Sequence, residues 1–367
     1  MDISDIDKNF RTYYSFEGMK TYSVNQEPFR LYGLCRKSDE QDFKRLPHNL
    51  AKTVNNPSIQ ALYQNTSGIR VRFRTDSSRI VLKCVLPQIH SSPCIPQTGS
   101  SCFDLYADGH YCSVFRPGID LNGGYSDGQM GKDGFSSGYS FKEKKEREIL
   151  IHFPLYNDVS EVYIALEKDA TLLEAKEYKT TSPIVFYGSS ITQGGCASHP
   201  GNCYPAILSR TLDFDYINLG FSAGCLAEPE MADYISGLEK SVLVYDYDHN
   251  ASTLSYLEQT HEPFFQAVRA KNPHLPIIIV SAADLSFGYE MRKKRMKVIK
   301  NTFEHAKSNG DKNVYFVDGT KIYETVGIDF CTVDHTHPND LGFYCMAQAI
   351  GPMIEKIWKK ENLLCTK

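Results

Sequence analysis

The sequence of 367 residues contains one tryptophan, Trp358. A tryptophan platform for sugar rings in the first half is therefore excluded, and Trp358, in an apolar helical pattern, is expected in the core. No Cys-x-x-Cys occurs: the eleven cysteines are scattered, which predicts free thiols, several of them buried, rather than a zinc site or a disulfide framework. Their one local cluster is Cys84, Cys94, Cys102 and Cys112. No window approaches the ~18 consecutive apolar residues of a membrane span. The acidic start, Met1 to Asp7, lacks the apolar stretch of a secretory leader, so the protein is expected in the cytoplasm and its two Asn-x-Ser/Thr sequons (Asn65, Asn250) are expected unmodified. With 40 basic against 44 acidic residues, the chain lacks the basic excess of a nucleic-acid binder. It has no G-x-G-x-x-G, no P-loop and no H-E-x-x-H, so a dinucleotide, a nucleotide or a catalytic zinc is not expected, and no cofactor is required.

The first half carries period-2 patterns. Gly68–Thr75 alternates apolar and basic side chains and predicts a strand with one wet face. Arg79–Leu86, Phe103–Gly109 (strand then turn), Tyr111–Phe115, Ile149–Phe153 and Val162–Leu166 are further strands separated by turn signals, the pattern of a β-sandwich or jelly roll. Residues 118–140 hold seven glycines and predict a long loop, whose Tyr125 and Tyr139 are candidates to line a cleft. The run Lys142–Glu148 reads as a solvated turn or strand edge. Near 170–182 the character changes. Apolar runs at Ile184–Tyr187, Tyr216–Leu219, Val242–Tyr247, Ile277–Val280 and Val314–Val317 now alternate with helical patterns, which predicts a parallel sheet covered on both faces. The expected domains are 1–175, all β, and 180–367, α/β.

In such a sheet, ligands bind beyond the carboxyl ends of the strands. After the first run come Gly188-Ser189-Ser190; after the second, Asn218-Leu-Gly220; after the third, Asp246-Tyr-Asp248-His249-Asn250; after the fifth, Asp334-His335-Thr-His337-Pro338. Serine, glycine, asparagine and histidine thus reach one rim from four loops. This second half, over about 183–360, resembles the SGNH (GDSL-type) hydrolases. Gly188-Ser189-Ser190-Ile191-Thr192 is similar to their first block, with Ser189 where Asp is commonest. Gly220, Asn250 and Asp334-x-x-His337-Pro338 are similar to the second, third and fifth blocks. The first half resembles the jelly roll attached to the GxDLY branch of these hydrolases, through Phe103-Asp104-Leu105-Tyr106 (with Ser101 where glycine is usual), Pro154–Asn157 and Ala197–Gly201. The resemblance implies a flavodoxin-like three-layer α/β domain with a five-stranded parallel sheet. It also implies a serine esterase, among whose relatives are carbohydrate esterases that remove acetyl groups from plant polysaccharides.

Roles follow from chemistry. Ser190, as nucleophile, needs a base within hydrogen-bond reach. His337 is the candidate, oriented by Asp334 three residues earlier. The Ser190 N–H, the Gly220 N–H and the Asn250 amide are the expected oxyanion donors. Other readings stand beside these. Ser189 or Ser190 could cap the following helix, His335 could replace His337, Asn250 could be a turn residue, and Asp334 could be structural. Asp246, Asp248 and His249 invite a metal reading but lack further ligands at suitable spacing. The expected activity is removal of O-acetyl groups from manno- or xylo-oligosaccharides, with no nucleic-acid or membrane partner; a homo-oligomer is compatible with the chain. The alternatives are a short-chain lipase or thioesterase and a catalytically silent carbohydrate-binding protein.

Overall fold

The computed structural model describes residues 16–35, 42–89, 92–117, 135–180 and 182–361, and the chain divides into two compact units. Tyr125 of the glycine-rich segment lies outside the described residues. No described helix is long and apolar enough to cross a membrane.

The first unit takes in the chain up to Arg45, Gln64–Glu177 and the three residues His199–Gly201. Its strands are β1 (Met19–Ser23), β2 (Arg30–Tyr32), β3 (Arg70–Thr75), β4 (Arg79–Val85), β5 (Phe103–Ala107), β6 (His110–Phe115), β7 (Phe135–Ser140), β8 (Arg147–His152), β9 (Glu161–Glu167) and β10 (Leu172–Leu173). They form two antiparallel sheets, β1-β9-β4-β7 and β10-β3-β8-β5-β6, with β2 also on β3. Alternate apolar side chains of both sheets (Ile80, Leu82, Ile164 with Phe73, Leu105, Ile151) share one core, as period-2 patterning requires. β3 departs from its pattern. Arg70 and Arg72, expected on a wet face, are buried. Both guanidinium groups lie over the Tyr32 ring of β2, at 5.5 and 5.9 Å, and Arg72 pairs with Glu148 at 3.1 Å. Stacking and pairing let arginine enter where an isolated charge would not. Tyr139, a candidate cleft residue, instead packs on this core beside Phe141.

The GxDLY-like segments meet inside this unit. Asp104 of β5 is fully buried and accepts from His152 Nδ1 (2.7 Å), His199 Nδ1 (2.6 Å) and the Gly201 N–H (2.5 Å). Burial pushes its carboxyl up, but the two imidazoles outweigh this and hold it well below the ordinary carboxylate range. Asn157 donates to the Ser100 carbonyl and to Ser101 Oγ, both at 2.8 Å. Asn65, of the first sequon, is buried and donates to Asp158.

The second unit is Leu46–Tyr63, Tyr178–Ser198 and Asn202–Lys367. The chain passes between the units at 177–178, and residues 46–63, though early in the sequence, belong to this second unit. They form two short helices, α1 (His48–Thr53) and α2 (Pro57–Leu62), whose Ala51, Val54 and Ile59 join the core around Leu219, Phe221 and Met231. A period-2 reading cannot see one-turn helices, and Asn56, capping α2 through Ser58 and Ile59 N–H, is their clearest sign. After these come β11 (Ile184–Gly188), α3 (Ser190–Gln193), α4 (Tyr204–Leu212), β12 (Tyr216–Gly220), α5 (Pro229–Gly237), β13 (Val242–Asp246), α6 (Leu254–Lys271), β14 (Ile277–Val280), α7 (Gly288–Ser308), β15 (Val314–Val317) and α8 (Asp340–Glu361). The sheet is parallel in the order β12-β11-β13-β14-β15. This is the 2-1-3-4-5 flavodoxin-like order, whose switch point lies beside the first strand. Gly188 pairs with both Gly220 and Asp246, so three strands end level and deliver their following residues to one rim. Trp358 of α8 is buried against Phe214, ring centroids 5.5 Å apart.

Candidate active site

β11 ends at Gly188, where an added Cβ would collide with Thr192 and the Asp246 carbonyl. The chain then turns directly into α3, a four-residue helix closed by Gly194 at φ +106°, a left-handed position that glycine adopts without strain. The two serines divide the work. Ser189 is fully buried and its Oγ caps α3 by accepting the Ile191 N–H at 3.1 Å. The Ser190 Oγ lies 2.9 Å from His337 Nε2. His337 Nδ1 is 2.8 Å from Asp334 Oδ2, and Asp334 Oδ1 accepts the backbone N–H groups of His337 (2.7 Å) and Thr336 (3.1 Å). Burial pushes the Asp334 carboxyl up, but these donors outweigh it and hold it below its ordinary value. An ionised Asp334 accepts a hydrogen bond from Nδ1–H and leaves Nε2 as the acceptor toward the serine. His335, at φ +65°, is exposed and makes no such contact with Ser190. The serine, histidine and aspartate expected from the sequence are therefore within hydrogen-bond reach of one another.

The buried carboxylates behind them hold the scaffold. Asp246 accepts from Thr192 Oγ1 and Tyr204 OH, both at 3.1 Å, which ties α3 to β13; burial raises its carboxyl above the ordinary value. Asp248 accepts from Arg295 Nε and the Ala282 N–H. Both Asp248 oxygens and the Asp246 Oδ2 are thus occupied, and among the described residues no group of His, Cys, Asp and Glu is arranged to hold a metal ion.

Gly220 differs from expectation. Its N–H donates to Asn218 Oδ1 at 2.8 Å, so it is not available to an oxyanion. Glycine is required there because a Cβ would meet the Thr192–Gln193 backbone: strand and helix approach too closely for any side chain. Two residues after Phe221, Ala223 sits at φ +51° and lines the cleft with Ser190, Asn250 and His337. Its N–H has no partner among the described residues. Gln193 Oε1 fixes this loop by accepting the Ser222 N–H at 2.9 Å. Asn250 lines the same cleft and donates one amide hydrogen to the Phe221 carbonyl at 3.0 Å, which leaves the second amide hydrogen. Alanine carries no mark of a left-handed turn in a sequence, so Ala223 was not legible; the Asn218-x-Gly220 spacing of an Asx-type turn was the available sign that the Gly220 N–H is taken.

One variant discriminates between roles for Asp334. Asp334→Asn removes the charge and can offer Nδ1 a donor in place of an acceptor. Because the Asp334 side chain is 35% exposed, water can replace part of its function. The expected result is a fall in kcat of about 10²-fold, smaller than the loss on removing His337. An unchanged kcat makes Asp334 purely structural.

Both parts of the chain are similar to known proteins. Residues 181–355 match the model of the GDSL-like lipase/acylhydrolase family. Residues 19–172 match that of the N-terminus of esterases of SGNH hydrolase type, GxDLY. No curated protein sequence matches the chain. Among solved structures, a protein of Bacteroides ovatus ATCC 8483 described as a GDSL-like lipase is 27% identical over 93% of this chain and 98% of its own, with a TM-score of 0.77. The salicylyl-acyltransferase SsfX3 of a tetracycline biosynthetic pathway is 20% identical over 93% of this chain and 98% of its own (TM-score 0.74). The family two carbohydrate esterase of Cellvibrio japonicus is 12% identical over the same shares (TM-score 0.61). These last two likenesses are of fold alone.

Proposed function

Given that the chain belongs to the GDSL-like lipase/acylhydrolases and carries the GxDLY-type N-terminal domain of SGNH esterases, we propose that it is a serine esterase removing O-acetyl groups from oligosaccharides. The observation that carries the reading is the hydrogen-bonded series Ser190 Oγ, His337 Nε2, His337 Nδ1, Asp334, of which Ser190 and His337 line a cleft of about 580 Å³. Ser190 attacks the ester carbonyl while His337 takes its proton. The tetrahedral oxyanion is met by the Ser190 N–H, the Ala223 N–H and the free Asn250 amide hydrogen. His337 then protonates the departing sugar hydroxyl, and water, activated by the same imidazole, releases acetate from Ser190. Each oxyanion donor is expected to contribute about 2.7–4 kcal/mol to the transition state.

A sugar is compatible with the mixed lining of the cleft, where the hydroxyls of Ser222, Ser252 and Thr336 stand beside Leu226 and Tyr256. Acetate release from acetylated xylo- and manno-oligosaccharides tests the choice, beside p-nitrophenyl esters of two to eight carbons. Acetyl preference with activity falling by butyrate is expected. Turnover that rises with chain length, with no acetate released from either oligosaccharide, overturns it in favour of a lipase or thioesterase.

A further inference from the structure

His249 takes no part in the acyl transfer to and from Ser190. It stands between Asp248 and Asn250 in the turn after β13, and it lines the cleft with Ser190, Ala223 and His337. Its Nε2 is held by Asp284 Oδ2. Asp284 follows β14 and is fixed in turn by the Ser286 N–H at 2.9 Å and the Ser286 hydroxyl. Only 7% of the His249 side chain and 2% of that of Asp284 are exposed. Burial pushes His249 down and Asp284 up, yet their mutual attraction outweighs both. Helped by Asp248 and Asp246, it raises the imidazole to about 9 and holds the Asp284 carboxyl at about 2. The ring is therefore an imidazolium at neutral pH, and both its nitrogens are donors. One is spent on Asp284. The other, Nδ1, is buried and has no partner among the described residues.

A buried ion pair adds little to stability over an apolar pair of the same shape, and a buried unpartnered donor subtracts from it. The Asp248–Asn250 turn does not require it, since Asp248 is already anchored by Arg295 and the Ala282 N–H. What the pair provides is a buried, unpartnered cationic donor on a residue that lines the cleft. We propose that His249, oriented by Asp284, is a specificity-determining residue whose Nδ1–H binds an acceptor oxygen of the substrate's alcohol portion, a hydroxyl or carboxylate near the ester. A sugar acetate offers such an oxygen and a simple alkyl acetate does not; a site built around a donor rejects the analogue that leaves the donor unsatisfied.

This rests on the esterase reading of the same cleft, so the substrates are chosen to separate the two. Ser190-dependent hydrolysis of p-nitrophenyl acetate tests the esterase alone. The ratio of kcat/KM for monoacetylated methyl xyloside to that for cyclohexyl acetate tests His249, and an acetylated methyl glucuronide distinguishes a carboxylate acceptor from a hydroxyl. His249→Gln and Asp284→Asn are each expected to lower the sugar-to-cyclohexyl ratio by about tenfold or more. An unchanged ratio overturns the proposal, as does an equal loss on both substrates, which would mark the pair as structural. Should both variants fail to fold, the ¹⁵N signal of His249 Nδ1 in Ser190→Ala decides. It is expected to shift on adding acetylated methyl xyloside or the glucuronide and not on adding cyclohexyl acetate; no shift with either sugar refutes the assignment.

Discussion

Ser190→Ala is expected to lower kcat for p-nitrophenyl acetate by at least about 10³–10⁴-fold. His337→Ala is expected to do nearly the same, and the double variant no worse than either. The reason is the geometry. Ser190 Oγ has His337 Nε2 at 2.9 Å, and a neutral serine hydroxyl is a poor nucleophile unless its proton has somewhere to go as the bond forms. Removing the nucleophile or its base removes one unit of chemistry, so the losses do not add. His335→Ala is the control. His335 is exposed and is not a member of this hydrogen-bonded series, and the variant should keep its activity. Near-UV circular dichroism establishes that each variant is folded. Equal slow hydrolysis by wild type and Ser190→Ala would sink the esterase reading; loss in His335→Ala with retention in His337→Ala would move the base.

The second large effect is on stability. Arg295 of α7 is 1% exposed. It pairs with Asp248 Oδ1 at 2.8 Å, donates to the Ala251 carbonyl at 3.0 Å and lies 4.0 Å over the Phe287 ring. Arg295→Ala leaves Asp248 charged, buried and without its cation, which should cost about 3–5 kcal/mol. Adding Asp248→Asn should restore part of this, because the cost lies in the stranded charge more than in the lost attraction. Trp358, the single tryptophan, is in the second unit, so its fluorescence follows unfolding of that unit alone in urea. A loss below about 1 kcal/mol would mean that water or a rearranged loop solvates Asp248.

The predictions differ in how far each was visible beforehand. Ser190, Asp334 and His337 are residue types with one joint chemistry, placed just beyond apolar runs, and their roles could be argued before any coordinates. The choice between Ser189 and Ser190 rests on the family resemblance, since by residue type both are plausible caps and plausible nucleophiles. Physically it depends on which hydroxyl turns inward to the Ile191 N–H and which faces His337. His249 and Asp284 stand 35 residues apart, and no local pattern joins them.

The sequence by itself determined the alternation of strands and helices, the two-part organisation, and the rim where serine, asparagine, aspartate and histidine gather. Periodicity and strand-end placement are local properties, written in each segment. Only the tertiary structure decided that Gly220 is a packing glycine whose N–H belongs to Asn218, that Ala223 lines the cleft with an N–H unpaired among the described residues, that residues 46–63 join the second core, and that β3 buries its arginines. Each of these depends on what a distant segment brings against a backbone atom or a charged side chain, and hydrogen-bond partners and burial are fixed by that approach rather than by the neighbours in the chain.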